Sequence, residues 1–203
     1  MRDKVTLSVF RDLFRRLGIS ALWYAGVFAV VILVLQIVFK AAGVDGDVAL
    51  TVISAISTRF YMLVLGIVCP LVYFTHYLAV GVTRKQFAVG IFAAGALLSL
   101  CFALLRAPML IIENVFSPLA LLVPALYGAL AFLVGWTAAV GFQYMRGVPI
   151  CVGTICAAAM FHGMIAVERL QLPLSAHLPI SAGAIALVGA VLLVAVQRIP
   201  VKC

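Results

Sequence analysis

Gly81-Val82-Thr83-Arg84-Lys85-Gln86-Phe87 is a short polar island between two long apolar runs, Tyr61 to Val80 and Phe87 to Leu105. A helix needs about 20 apolar residues to cross the hydrocarbon of a bilayer. Two such runs, separated by a glycine and a few polar side chains, read as two membrane-crossing helices joined by a tight turn. The rest of the chain is placed by asking which side of the membrane this turn faces.

The composition agrees. Of 203 residues, 67% are hydrophobic and only 10% charged. Soluble domains carry about 25% charged residues and about half apolar ones. No polar stretch is long enough to fold as a separate catalytic domain. The net charge of +8 would suggest nucleic acid in a soluble protein. Here the charges sit at the ends of apolar runs, so they read as loop anchors facing anionic lipid, with no nucleic-acid partner. Five cysteines, Cys69, Cys101, Cys151, Cys156 and Cys203, show no C-x-x-C spacing. They read as small apolar side chains rather than as a disulfide or zinc framework.

Residues 1–18 carry Val9, Phe10, Leu13, Phe14 and Leu17 on one helical face and Lys4, Ser8, Arg11, Asp12 and Arg15 on the other. That pattern predicts an amphipathic helix in the plane of the leaflet, with Phe10 and Phe14 among acyl chains and Arg11 and Arg15 at the phosphates. Gly18 argues for a break after it. The alternative is that this segment simply extends the first span.

Residues 19–203 then divide into six spans, at about 19–39, 61–80, 87–105, 119–142, 150–167 and 179–196. The first is too long for a cleavable signal. Thr51 to Arg59 is expected to be an interfacial lead-in to the second, and Pro70 to kink that span. Ser117-Pro118 is a strong helix start. Arg106 to Phe116, with Glu113 and Asn114, and Glu168 to Leu178 are expected as loops. Small residues spaced by four, such as Ala21, Ala25 and Ala29 or Ala182, Ala186 and Ala190, read as stripes for close helix packing.

An even number of spans puts both termini on one side. Ten basic residues fall in the termini and in the 81–86 and 143–149 segments: Arg2, Lys4, Arg11, Arg15, Arg16, Arg84, Lys85, Arg146, Arg198 and Lys202. Four fall on the other side: Lys40, Arg59, Arg106 and Arg169. The positive-inside rule therefore makes both termini and the island cytoplasmic. The expected architecture is an all-α polytopic membrane protein with an amphipathic interfacial helix over 1–18 and a six-helix transmembrane domain over 19–203. The expected location is a bacterial inner membrane.

Titratable groups inside hydrocarbon are costly, which makes them the first functional candidates. His76 and His162 qualify. Neither is accompanied by an intramembrane acid or an H-x-x-x-H spacing, so they read as neutral, hydrogen-bonded imidazoles rather than a metal site. No protease nucleophile setting and no phosphate-binding Gly-x-x-x-x-Gly-Lys-Ser/Thr loop occurs. The expectation is no catalytic residue, no metal and no cofactor in this chain.

The run Tyr77-Leu-Ala-Val-Gly-Val-Thr-Arg-Lys-Gln-Phe-Ala-Val-Gly90 resembles the permeases of bacterial type-2 ABC exporters. In them a span ends in a Gly-Val/Thr-Thr/Ser-Arg-Lys/Arg-x-Phe loop. A basic N-terminal helix followed by six spans also resembles that class, and the short 168–178 segment departs from it. The resemblance implies an ATP-binding-cassette ATPase as partner, docking on Gly81, Thr83, Arg84, Lys85, Gln86 and Phe87. It implies a second permease as well, with ATP hydrolysis in the partner chain. A competing reading is the six-span substrate-binding component of an energy-coupling vitamin importer, whose first span also carries small residues every fourth position. A third is a non-catalytic immunity or structural membrane protein.

Overall fold

The computed structural model describes residues 2–43, 47–112, 117–143, 147–169 and 172–199. These form seven helices: α1 Arg2–Ala41, α2 Asp47–Ala79, α3 Arg84–Leu105, the short α4 Ala107–Ile112, α5 Pro118–Gln143, α6 Gly147–Arg169 and α7 Leu174–Gln197. All except α4 contain a segment long and apolar enough to cross a membrane, so this is a multi-pass membrane protein.

The centre of the bundle is α5. Nearly every side chain from Val123 to Gly141 is buried, and α2, α3, α6 and α7 all pack on it. Its start is the predicted one: the Ser117 hydroxyl accepts the Ala120 amide at 3.1 Å, and Pro118 occupies the first helical position. Lateral contacts fix the directions. Gly66 meets Phe132 and Arg59 meets Tyr127, so α2 runs parallel to α5. Gly95 meets Phe132 and Ser99 meets Ala125, so α3 runs antiparallel to it.

Lipid is as apolar as a leucine side chain, so helices in a membrane associate mainly through close van der Waals packing and interhelical hydrogen bonds. The α2–α5 contact shows this. A Cβ built on Gly66 would collide with the carbonyl oxygen of Phe132, and one on Gly135 with that of Leu63. Two glycines facing opposite backbones let the helices touch main chain to main chain. Pro70 lies within α2, and its carbonyl accepts the Gln143 amide at 2.9 Å, tying the same pair of helices again.

Three expectations are corrected. First, α1 is one helix of 40 residues with no break at Gly18. Val9, Leu13 and Leu17 are buried by protein rather than left for acyl chains, because α1 packs along α3. Val9 meets Gly90 and Tyr24 meets Phe102, so α1 and α3 run parallel. One glycine costs a helix only about 1 kcal/mol, which the packing on either side of Gly18 outweighs. Second, the lead-in before Arg59 is part of α2 itself. Third, the expected loops are partly helical: α4 occupies 107–112, and α7 begins at Leu174. Glu113 and Asn114 lie outside the described residues, as do 144–146 and the tail from Pro200.

The most apolar window of α1 has no buried residue. At 1.5 Å per residue this helix is about 60 Å long, far longer than the 22-residue α3 beside it. Its second half extends beyond the end of α3 and leaves Val27, Val30, Val34 and Ile37 exposed.

Replacing Gly66 or Gly135 with Ala should destabilise the purified protein in detergent by on the order of 1–3 kcal/mol each, lowering its unfolding midpoint. Gly163→Ala should not lower it, since nothing lies within 4 Å of a Cβ there and alanine is the better helix former. Unchanged midpoints for both Gly66→Ala and Gly135→Ala would contradict the backbone contact.

Candidate functional site

The island is a helix stop followed at once by a helix start. Helix α2 ends with Gly81 at φ 85, a left-handed conformation that glycine adopts without steric cost. The Val82 amide donates to the Tyr77 carbonyl at 3.0 Å and the Gly81 amide to the Leu78 carbonyl at 3.1 Å. This pair of bonds is a Schellman motif, which satisfies carbonyls the helix end would otherwise leave open. Val82, just past the turn, is buried in the core.

Helix α3 then starts with a capping box. The Thr83 hydroxyl accepts the Gln86 amide at 3.3 Å, and the Gln86 side-chain oxygen accepts the Thr83 amide at 3.0 Å. The two residues satisfy each other's orphan donors. Phe87 is fully buried, with its ring against Phe74 at 5.5 Å and Tyr77 at 5.7 Å between centroids.

Arg84 reaches across the bundle. Its guanidinium donates to the Gln197 carbonyl at 2.6 Å. That carbonyl belongs to the last turn of α7, where a helix presents partial negative charge and unpaired acceptors. A neighbouring tie joins α1 to α2: the Tyr77 hydroxyl donates to Asp12. Asp12 also takes a 3.1 Å bond from Arg16, whose guanidinium lies 5.8 Å from the Tyr73 ring centroid. The joint between α2 and α3 is thus a node at which α1, α2, α3 and α7 meet.

The expected docking residues therefore divide. Gly81, Thr83, Gln86 and Phe87 build the joint, and Arg84 holds the end of α7. Lys85 is exposed, with no hydrogen bond or ion pair among the described residues. It sits on the rim of a groove of about 750 Å³ between α1 and α3, floored by Leu7, Phe10, Val89 and Ala93. On α1, Arg11 and Arg15 are exposed. Phe10 and Phe14 are half-buried and stacked with centroids 5.9 Å apart. His76 is exposed beside the Tyr77 ring, and His162 is exposed with Nδ1 3.1 Å from the Ala158 carbonyl of its own helix.

The opposite end of the bundle holds a cluster the sequence reading passed over. Tyr127 of α5 shares a 2.9 Å hydrogen bond with Nδ1 of His177 on α7. The Ser181 hydroxyl donates to the His177 carbonyl at 2.7 Å. The Arg59 guanidinium lies over the Tyr127 ring, 5.1 Å from its centroid. His177 lies in a segment expected to be a loop, but the buried positions 177, 181, 188, 192 and 196 share one helical face. That spacing was the available signal.

Gly81→Val should destabilise the protein by about 1–2 kcal/mol, the cost of a left-handed residue with a Cβ, and so lower its unfolding midpoint, while Lys85→Ala leaves it unmoved. A Gly81→Val protein as stable as the parent would contradict the Schellman turn. Compared with known proteins, the chain matches no family model, no curated protein and no solved structure.

Proposed function

We propose that this chain is the membrane-spanning permease subunit of an ATP-driven exporter, energised by a separate ATPase that takes hold of the α2–α3 joint. The observation that carries this reading is the joint itself. It is rigid, because both of its helix ends are capped internally. It is also tied to four helices, through Arg84 to α7 and through Tyr77 to α1. A force applied there would reach α1, α2, α3 and α7 together. A turn that served only to reverse the chain would not need that cross-bracing.

The groove beside Lys85 supplies the contact. Its apolar floor suits a side chain of a soluble partner, and Lys85 suits an acidic group on the same surface. The resemblance of 77–90 to type-2 ABC permeases names the partner as an ATP-binding-cassette ATPase. In that reading the joint and both termini are cytoplasmic in a bacterial inner membrane, which the distribution of basic residues favours. A second permease completes the pathway, and the bare apolar half of α1 is available to lipid or to that partner.

The test separates docking from folding. Lys85→Glu should abolish co-purification with an ATP-binding-cassette ATPase that the parent protein captures from its own membranes, while the permease still inserts and elutes as a folded species. Co-purification that survives this reversal would sink the docking claim. Arg84→Glu is the wrong probe, because it would also free the end of α7. The orientation has its own test. A thiol placed by Asp45→Cys should react with an impermeant reagent from outside the cell, and one placed by Lys85→Cys only after the membrane is opened. The reverse pattern would overturn the orientation.

A further inference from the structure

One side-chain amide interrupts the bare half of α1. Between Ile19 and Phe39 the sequence holds no acid and no base, and its one amide is Gln36. Gln36 is exposed, and among the described residues nothing hydrogen-bonds to it. Ser20, the other strongly polar residue of this run, is engaged: its hydroxyl accepts the Tyr61 hydroxyl at 3.0 Å. An amide side chain brings two donors and an acceptor oxygen. Hydrocarbon satisfies none of them, so an unpaired amide on a membrane-crossing helix favours a second helix that can hydrogen-bond to it.

Gln36 ends a regular stripe. Leu22, Gly26, Ala29, Leu33 and Gln36 follow one another at spacings of four, three, four and three residues. That is the spacing of a coiled-coil seam, in which a single polar residue fixes register and the number of helices. All five are exposed. They lie away from the side of α1 that packs on α2 and α3 through Ala21 and Tyr24. The seam is hollowed at Gly26. A space of about 450 Å³ is lined by Leu22, Trp23, Gly26 and Val30 of this one helix, and nothing lies within 4 Å of a Cβ at Gly26. Large side chains around a glycine form the kind of hole that a facing side chain enters.

Symmetry and area identify the occupant. Copies of one chain insert the same way up, so two of them related by an axis along the membrane normal present parallel α1 helices. Gln36 then faces the partner's Gln36 at the same depth, and each amide can donate to the other's oxygen. Leu22, Trp23, Val27, Val30 and Leu33 are each more than half exposed. Together they offer several hundred Å² per copy, against about 800 Å² per partner in a standard interface. We propose that α1 is a homodimer interface, in which two copies of this chain pair in parallel along the Leu22–Gly26–Ala29–Leu33–Gln36 seam and are locked in register by their Gln36 amides. The pairing names the second permease of the proposed function as another copy of this chain. It rests on that reading for its role alone, since the contact itself needs no ATPase.

The experiment uses the full chain without any ATPase. Copies labelled with a donor or an acceptor fluorophore are mixed in phosphatidylcholine–phosphatidylglycerol vesicles over a range of protein-to-lipid ratios. Energy transfer is expected, and it should fall on dilution with lipid and on adding unlabelled protein. Gln36→Leu should raise the protein-to-lipid ratio at half-association several-fold, and Gln36→Asn, which keeps the amide, should raise it less. Gly26→Phe fills the hollow and should abolish transfer. Leu33→Cys, on the seam, should give a disulfide-linked dimer on oxidation, above the background from the parent's own cysteines, and Val34→Cys, off the seam, should not. If Gly26→Phe fails to fold, the Gln36 variants and the two cysteine positions still decide. Transfer in the parent no greater than random mixing would mean that lipid or a different protein covers this face, and would overturn the pairing. Transfer unchanged by Gln36→Leu, or equal cross-linking at positions 33 and 34, would move the contact to another face and overturn the seam. None of these results bears on ATPase docking, which Lys85→Glu tests separately.

Discussion

Helix α5 is enclosed by protein on all sides, and α2 lies directly against its backbone. That contact depends on the absence of two Cβ atoms, at Gly66 and Gly135. In a membrane there is little hydrophobic gain in bringing two apolar helices together, so stability rests on how closely they approach. Two glycines and a helix with no lipid-facing side supply that approach. The other helices are then positioned by α5: α3 through Ser99 and Gly95, α6 through Gly153 against Gly141, and α7 through His177.

The polar groups follow from the same arrangement. A buried polar atom in hydrocarbon costs several kcal/mol unless it is paired. Many of the polar side chains that pair between helices lie in two groups at opposite ends of the bundle. At one end Tyr77, Asp12 and Arg84 link α1, α2, α3 and α7. At the other, Arg59, Tyr127, His177 and Ser181 link α2, α5 and α7. The first end carries the proposed hold for a motor. That proposal rests on side chains that also brace the bundle, which is why the informative variant is Lys85 rather than Arg84.

Much of this was legible in the sequence. Six apolar runs gave six candidate spans, Ser117-Pro118 marked a real helix start, and Gly90, Gly128, Gly135 and Gly153 all lie at helix contacts. What hydropathy could not show was which apolar face meets protein. Ala182, Ala186 and Ala190 form as good a small-residue stripe as any, yet all three are exposed. Val9, Leu13 and Leu17 looked like a lipid-facing stripe and are core. Gly18 looked like a break because a local preference of about 1 kcal/mol is visible in sequence and the packing that overrides it is not. The role of Arg84 was hidden for the same reason: its acceptor lies 113 residues away, and a lysine or arginine in a short loop already has a sufficient explanation in topology.

Tryptophan scanning of α5 and α7 measures the central claim most directly. If α5 is enclosed, tryptophan at almost every position from 123 to 141 should prevent recovery of folded, monodisperse protein in detergent. The same substitution at Leu187, Val191 and Val194 of α7, all exposed, should be tolerated. A tolerance pattern along α5 that repeats every three to four residues would mean that one face of it meets lipid, and would contradict a bundle built around this helix.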